Sequence, residues 1–214
     1  MPELNSVSHS RSPLLVVLSG PSGVGKDSVI KQLREVLPDL HYAVTATTRA
    51  PRPGETDGQS YYFLSRREYD EMLDRGELLA PAQVHGNWYG APLQPLRAAF
   101  AEGKDVLLKI DVQGAIAVRR RIPQAVFLFL APPSPEDLVD RLGSRQTESS
   151  EELARRIRDA EFELAQLPHY DYCVVNHDRD LDGTVGEVAC VVSAERLRIS
   201  RQPIDLDFGQ PRKT

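Results

Sequence analysis

The chain has little of several residue types and patterns that mark common classes of protein. Only two of its 214 residues are cysteine, Cys173 and Cys190, and both stand among apolar residues. We expect buried free thiols rather than a disulfide, as is typical of a reducing compartment. No stretch approaches the roughly 18 apolar residues of a membrane span, and residues 1–12 lack the apolar centre of a secretion signal. The sequence therefore predicts a cytoplasmic protein with no membrane partner.

Excess positive charge and metal-ligand patterns are also absent. The formal net charge is −5, which argues against nucleic acid as a partner, and the histidines and cysteines show no metal-ligand spacing. With 41% hydrophobic residues, the chain suits one domain with insertions. We expect tails at residues 1–13, which are polar, and at 200–214, which contain prolines and no helical period. The oligomeric state stays open.

One glycine-rich segment carries the strongest functional signal. An apolar run over 14–18 is followed by the pattern G-x-x-x-x-G-K and then by apolar residues at helical spacing. Glycines let main-chain N–H groups surround phosphate oxygens, and the start of a helix adds its positive end. The segment therefore predicts a site for a nucleoside triphosphate, with the lysine on the outer phosphates. Its residues are Gly20, Pro21, Ser22, Gly23, Val24, Gly25 and Lys26.

The residue after the lysine departs from the usual pattern. A Ser or Thr hydroxyl normally ligates Mg²⁺ at that position, whereas this chain has Asp27 followed by Ser28. Asp27 could bind the ion directly, since carboxylates suit it, could act through water, or could leave the role to Ser28. Mg²⁺ is the expected cofactor, as the companion of ATP, and its ligand stays open.

Predicted strands and helices alternate along most of the chain. Strands over 14–18, 106–110, 125–130 and 172–175 are separated by helices, which predicts a parallel sheet with helices on both faces. Ligands of such sheets bind at the carboxyl ends of the strands, where the glycine loop, Asp111 and Asn176 would lie. The stretches 45–95 and 143–150 stand outside this alternation, and each could close over a ligand.

Local signals within 45–95 are more specific. Ser65 and Glu68 form a capping box at the start of a predicted helix. A strand over 78–84 contains Pro81, which confines it to the edge of a sheet.

A pair of arginines predicts a second anion site. Arg49 and Arg52 stand three residues apart and are flanked by prolines. Such a rigid fork suits a terminal phosphate monoester, and Tyr61 and Tyr89 can add phenolic donors. Taken alone, the segment could also be a surface turn with solvated arginines.

These segments together resemble the guanylate kinases, which transfer a phosphate from ATP to GMP. The matching pieces keep the family's order over about 14–199: GPSGVGK at 20–26, TTRAPRPGE at 47–55, DGQSYYF at 57–63, HGNWYG at 85–90, KIDVQGA at 109–115, APPSPEDL at 131–138, RQTES at 145–149 and VVN at 174–176. The resemblance implies a three-layer α/β core of the P-loop NTPase type over 14–44 and 96–199. It also implies an inserted lobe for the nucleoside monophosphate over 45–95 and a lid over 140–156.

The resemblance further implies roles for single residues. The glycine loop with Asp27 and Ser28 would bind ATP, and Asn176 lies where the family approaches the adenine. The site for GMP, and for dGMP as well, would comprise Thr45, Arg49, Arg52, Tyr61, Tyr89 and Asp111. The catalytic cations would be Lys26, Arg49 and the lid residues Arg141, Arg145 and Arg156. The activity would serve purine nucleotide metabolism.

The chain departs from the family where the base is read. Ala80 stands in place of a glutamate that pairs with guanine, Ala91 in place of a frequent Ser or Thr, and Lys109 in place of an acidic residue. The phosphate-reading positions are unchanged. We therefore expect phosphate transfer to survive with weaker discrimination for guanine, unless a neighbour or water compensates.

Two other interpretations stay open. The run Lys26-Asp27-Ser28 also resembles the loops of kinases that act on ribose bisphosphates, although that does not explain 47–63. Non-catalytic guanylate-kinase-like modules bind protein partners, but they tend to lose the loop lysine and the lid arginines, and this chain keeps both.

Overall fold

The computed structural model describes residues 12–84, 86–143 and 150–206, with the side chains of 142, 143 and 150–156 outside that description. The strands are β1 (Leu15–Ser19), β2 (His41–Ala43), β3 (Ala46–Thr47), β4 (Tyr62–Phe63), β5 (Leu78–Val84), β6 (Asn87–Pro92), β7 (Val106–Lys109), β8 (Val126–Ala131) and β9 (Tyr172–Val175). The helices are α1 (Lys26–Val36), α2 (Arg66–Asp74), α3 (Leu93–Ala101), α4 (Val112–Arg121), α5 (Pro135–Gly143), α6 (Ser150–Ala165) and α7 (Leu181–Leu197), with a short 3₁₀ helix at Leu167–His169.

The main sheet has five strands in the order β2-β7-β1-β8-β9. Every neighbouring pair in it is parallel, which confirms the predicted α/β class. Each connection between parallel strands must cross over the sheet, and the helices supply these crossovers. None of the helices within the described residues combines the length and the apolar composition that a membrane span requires.

The central strand β1 shows how the sheet is covered on both faces. All of its side chains are buried, as expected of a parallel strand between two layers of helices. Leu15 and Val17 join one apolar cluster with residues of α3 and α4. Leu18 faces the opposite side, where it clusters with residues of α1 and α7. Helices therefore cover β1 on both faces, and its carboxyl end is where a ligand can approach it.

A second sheet lies within the inserted region. Its four strands have the order β4-β3-β6-β5, so β5 is an edge strand, as Pro81 predicts. Strand β6 was not predicted, because Asn87, Gly90 and Pro92 are poor strand formers. A Cβ at Gly90 would come within 3.3 Å of the Leu78 side chain, so the small residue lets β5 and β6 approach each other.

Strand β5 is irregular where it meets the gap between the sheets. Its register with β6 shifts between Leu79 and Ala82, and Ala80 has a φ of 50°. That left-handed conformation costs a residue with a side chain about 1–2 kcal/mol. Ala80 is buried, so the distortion is held by the surrounding packing and sets the local shape of the gap.

The structure corrects two expectations about the surface. Cys173 and Cys190 are free, as predicted, but both are exposed, so the expected burial is wrong. Residues 200–206 are not a loose tail, because Leu206 is buried and its carbonyl accepts hydrogen bonds of 3.2 and 2.9 Å from the Arg97 guanidinium. Ile204 packs against the same apolar cluster. In the sequence, the alternation of Ile204 and Leu206 was the signal of this contact.

Helix α2 begins with the predicted capping box. The Ser65 hydroxyl accepts from the Glu68 N–H at 3.2 Å, and the Glu68 carboxylate accepts from the Ser65 N–H at 2.7 Å. The helix packs on the second sheet through Tyr69, whose ring lies 5.9 Å from that of Trp88. The Arg66 guanidinium covers the Trp88 ring at 4.3 Å.

Replacing Ser65 by alanine should lower the free energy of unfolding by about 1 kcal/mol, because the Glu68 N–H at the start of α2 loses the hydroxyl that accepts its hydrogen bond. Urea denaturation followed by circular dichroism measures the change. The matched control is Ser193→Ala on the exposed side of α7, where alanine's higher helix propensity predicts no loss. Equal stability of the Ser65→Ala variant and the parent chain would contradict the role of the cap.

Candidate functional site

The glycine loop between β1 and α1 has a shape that only glycine permits at two positions. Gly20 has a φ of 147°, and a Cβ there would come within 2.2 Å of the Leu130 carbonyl oxygen. Gly25 has a φ of 99°, and its Cβ would come within 2.5 Å of the Asn176 amide nitrogen. The loop is therefore seated directly against the ends of β8 and β9, and it leads into the N-terminus of α1.

Lys26 folds back across this loop. Its Nζ donates to the carbonyl oxygens of Gly20 and Pro21, at 2.6 and 3.0 Å. Burial lowers the pKa of the ammonium, while the negative charges of Glu163 and Asp27 oppose that shift. The ammonium thus lies at the loop itself, where the phosphates of a bound nucleotide would neutralise it.

Glu163 is a site residue that the sequence analysis missed. It lies on α6, and its Oε2 accepts a hydrogen bond of 3.1 Å from the Ser22 N–H of the loop. Burial raises the pKa of this carboxyl, and the charge of Lys26 opposes the rise. A carboxylate oxygen is thus bound by a loop amide of the kind that binds phosphate oxygens. No local pattern marks Glu163, since the contact spans 141 positions of sequence.

Asn176 and Arg141 support the loop rather than lining the cleft beside it. The buried Asn176 amide donates to the Val24 carbonyl at 2.7 Å, and its Oδ1 accepts from the Thr184 hydroxyl at 3.2 Å. Arg141 donates to the Val24 carbonyl at 3.3 Å and to the Asn176 carbonyl at 2.8 Å. Contacts of these two residues with ATP stay predictions.

A cleft extends from the glycine loop to the second sheet. It brings together, from among the residues predicted to bind ligands, Gly20, Ser22, Gly23, Lys26, Asp27, Thr45, Arg49, Arg52, Tyr61, Tyr89 and Asp111. Ser28 is exposed and does not line it. Arg145 and the side chain of Arg156 lie outside the described residues. The glycine loop and the arginine pair therefore face one cavity, although they are 20 or more positions apart in the chain.

The arginine pair is arranged around a glutamate. The Arg49 guanidinium donates to both carboxylate oxygens of Glu55, at 2.7 and 2.9 Å, and Glu55 also accepts from the Arg52 N–H at 2.7 Å. Burial disfavours both charges, but the mutual hydrogen bonds outweigh it, so the pKa of Arg49 is raised and that of Glu55 is lowered. Glu55 thus fixes the orientation of Arg49 within the cleft, a role that the sequence did not indicate.

Lys109 supplies a further cation from the carboxyl end of β7. Its Nζ donates to Asp27 Oδ1 at 2.5 Å and lies 4.7 Å from the centre of the Tyr61 ring. Burial works against the ammonium, but Tyr61 and Asp27 outweigh that effect and raise the pKa of Lys109. The side chain of Lys109 is 17% exposed and that of Asp27 is 86% exposed.

Asp111 has a structural bond at the end of the same strand. It is the N-cap of α4, and its Oδ1 accepts from the Gly114 N–H at 2.9 Å. The cleft wall nearby is formed partly by the small or apolar residues Ala80, Val84, Gly90 and Ile110. Ala91 is buried in the apolar cluster and does not line the cleft.

The described residues of the cleft fit a metal ion that is bound together with a nucleotide. Among the residues that the structure describes, no group of three or more His, Cys, Asp or Glu side chains could hold one. Mg²⁺ commonly uses one or two carboxylates, several waters and the phosphates of its nucleotide. Asp27, which lines the cleft at the glycine loop, fits that manner of binding.

The fold and the loop together define the class of protein. A glycine loop that joins a buried parallel strand to a helix, with its lysine folded onto the loop, is the phosphate-binding device of the P-loop nucleotide-binding proteins.

Comparisons with known proteins then give the family. The guanylate kinase family model matches residues 12–195. A guanylate kinase of Desulfitobacterium hafniense is 45% identical over 190 residues, which are 89% of this chain and 94% of that protein. One of Nocardia farcinica is 50% identical over 174 residues, 80% of this chain and 90% of that protein. The crystal structure of guanylate kinase from Anaplasma phagocytophilum superposes with a TM-score of 0.74 at 32% identity, covering 90% of this chain and 91% of that one. The chain belongs to the guanylate kinase family.

Replacing Asn176 by alanine should lower the free energy of unfolding by about 1–3 kcal/mol, because the Val24 carbonyl and the Thr184 hydroxyl lose a buried partner. ATP binding should weaken as well, since the loop loses its support. Thr184→Val removes the hydroxyl contact with Asn176, together with those to the Val175 and Asp180 carbonyls, but keeps the bond to Val24, so it should weaken ATP binding less. Urea denaturation and calorimetric titration with ATP measure the two quantities. An Asn176→Ala variant of unchanged stability that no longer binds ATP would instead indicate a direct contact with the nucleotide.

Proposed function

We propose that this chain is a guanylate kinase that transfers the γ-phosphoryl group of ATP to GMP, and to dGMP, and so produces ADP and the diphosphate. The observation that carries the proposal is the single cleft in which the P-loop lysine, Lys26, faces the paired arginines Arg49 and Arg52. Such an arrangement suits one triphosphate and one phosphate monoester at the same time. The proposed role is in purine nucleotide metabolism, in the cytoplasm.

The reaction joins two anions, so charge is its main obstacle. An oxygen of the GMP phosphate attacks the γ-phosphorus in line with the bond to the bridging oxygen of ADP, and that bond breaks as the new one forms. The protein has little covalent work to do in such a transfer, and its contribution is positioning and neutralisation of charge. Lys26 is placed for the donor phosphates and Arg49 for the acceptor phosphate.

The acceptor phosphate would be held by a rigid set of donors. Glu55 takes two of the hydrogen bonds of Arg49 and thereby orients its guanidinium, which has five N–H donors in all. The Tyr61 and Tyr89 rings lie edge to face, 6.1 Å apart, and both line the cleft beside Arg49. Their hydroxyl groups can donate to the same phosphate.

The metal would enter as part of the donor substrate. Mg²⁺ bound to ATP reduces the negative charge of the β- and γ-phosphates, and Asp27 would hold it. The lid over 140–156 and its arginines, Arg141, Arg145 and Arg156, complete the proposal as predictions from the family. Exclusion of water by such a lid would prevent loss of the phosphoryl group to hydrolysis.

The base of the acceptor is expected to be read loosely. Small side chains, Ala80 and Gly90, form part of the cleft wall, and Thr45 and Asp111 are among its polar residues. An unpaired buried donor costs about 1–3 kcal/mol, or roughly tenfold to a hundredfold in rate. A base that has no donor for such a carboxylate avoids this penalty. With Ala80 at this position, guanine therefore gains no advantage over that base.

A panel of acceptors in a coupled assay of ADP release tests this proposal. GMP should be phosphorylated, and kcat/KM for IMP, which lacks the 2-amino group, should lie within about tenfold of that for GMP. AMP, UMP and a ribose bisphosphate complete the panel and separate the alternative kinases. Rejection of IMP by three orders of magnitude would contradict the loose reading of the base. Failure to phosphorylate any acceptor would leave the binding-module interpretation.

The loop lysine provides a second test of the same activity. Lys26→Ala should lower kcat by about a hundredfold or more, in line with the effects of cations that stabilise a transferring phosphoryl group. The same change at Lys104, an exposed residue paired with Glu102, is the control and should leave kcat unchanged. Steady-state kinetics with saturating ATP and GMP measure both. A fully active Lys26→Ala variant would exclude the proposed role of the loop.

A further inference from the structure

Lys109 lies at the junction of the two halves of the site. It pairs with Leu18 in the register of β7 and β1, so it stands at the strand end from which the glycine loop departs. Its Nζ reaches Asp27 in the first turn of α1 at 2.5 Å. The same atom lies 4.7 Å from the ring centre of Tyr61, which belongs to the acceptor side. One ammonium group therefore contacts both the donor loop's helix and the acceptor lobe.

The ion pair of Lys109 with Asp27 is poorly placed to stabilise the fold. Lys109 is 17% exposed, whereas Asp27 is 86% exposed, and pairs with a solvated partner contribute little to stability. Removing an ammonium from water is unfavourable, and Tyr61 and Asp27 offset that cost while no nucleotide is bound. Because the Asp27 carboxylate is solvated, another anion that approaches Lys109 can take its place. The polyanions that the cleft is built to receive are such partners.

The neighbouring cations support this inference. Lys26, Arg49 and Lys109 line the same cleft, and each one contacts a resident acceptor: loop carbonyls for Lys26, Glu55 for Arg49 and Asp27 for Lys109. Lys26 is placed for the donor and Arg49 for the acceptor, and Lys109 stands beside Tyr61 between the two. A cation at that position would meet the phosphoryl group in transit.

We propose that Lys109 is a further phosphate-binding residue of this site, one that binds where the donor and acceptor phosphates meet, and that Asp27 holds it there while no nucleotide is bound. The inference rests on the proposed kinase function. It adds a residue that is specific to the combined state, in which both nucleotides are bound. Because Asp27 competes with the phosphates for the same ammonium, the two residues should have opposite effects on binding.

The probe for the combined state is adenosine linked to guanosine, 5′ to 5′, through a pentaphosphate, which spans both halves of the cleft. Calorimetric titrations compare it with ADP alone and GMP alone, in EDTA without any divalent metal. Lys109→Met should weaken binding of the linked compound by about tenfold or more, the effect of losing a charged hydrogen bond. It should change the affinities for ADP and GMP by less than about threefold. Lys109→Arg, which keeps the charge, should restore most of the loss.

Asp27→Asn separates a phosphate-binding role from a structural one. Under the proposal, this variant binds the linked compound in EDTA as tightly as the parent chain or more tightly, because the competing carboxylate is gone. If the pair served only to hold the structure, Asp27→Asn and Lys109→Met would weaken binding alike. Lys104→Met is the matched control, since Lys104 is exposed and pairs with Glu102, and it should bind all three ligands normally.

Each remaining outcome is decisive. The inference is wrong if Lys109→Met binds the linked compound like the parent chain, or if it loses all three ligands to the same degree. Thermal unfolding confirms that the variants are folded, and Lys109→Gln takes the place of Lys109→Met if the latter is not. If the parent chain binds neither ADP nor GMP nor the linked compound, the proposed kinase function itself fails. If it binds them and only the Lys109 effect is missing, the kinase function stands and the inference falls.

Discussion

The Val24 carbonyl is the point on which the geometry of the site depends. Two donors from distant parts of the chain, the Asn176 amide and the Arg141 guanidinium, converge on this oxygen. They hold the glycine loop against the ends of β8 and β9, and the absence of side chains at Gly20 and Gly25 makes that approach possible. The direction of α1, the position of Lys26 and the reach of Lys109 to Asp27 all follow from the path of the loop. A backbone oxygen of the loop thus sets the geometry of the chemistry.

The site combines cations with resident acceptors of opposite or partial negative charge. Glu163 accepts from a loop amide, Glu55 holds Arg49 and Asp27 holds Lys109. Unpaired cations crowded into one cleft would repel each other and destabilise the folded chain. With carboxylates beside them, binding of phosphates becomes an exchange of partners in a preformed site. This arrangement explains how a chain with a net charge of −5 can offer a cleft for two polyanions, since the local balance of charge decides and the total does not.

Local patterns in the sequence were sufficient for much of the fold. The parallel alternation, the capping box at Ser65 and the edge position forced by Pro81 each depend on neighbours within a few residues, and the structure confirms all three. Strand β6 was not predicted, because its residues have weak strand propensity and are held in place by their partners across the sheet. The exposure of Cys190 could have been predicted, since it lies on the side of α7 opposite the buried Val188 and Val192.

The residues of the candidate site likewise fall into those that local sequence patterns reveal and those that they do not. The glycine loop and the arginine pair have compact signatures, and the structure brings them to one cleft. Glu163 and the Lys109–Asp27 pair are contacts over 141 and 82 positions of sequence, and only the folded chain brings these residues together. A residue type read on its own, such as Asp27 in place of a hydroxyl, was therefore ambiguous until its partner was known.

The single tryptophan of the chain, Trp88, lies on the second sheet, where Arg66 covers it and Tyr69 flanks it. Light absorbed selectively by that indole therefore reports on the second sheet, and the five-stranded core is silent in the same emission spectrum.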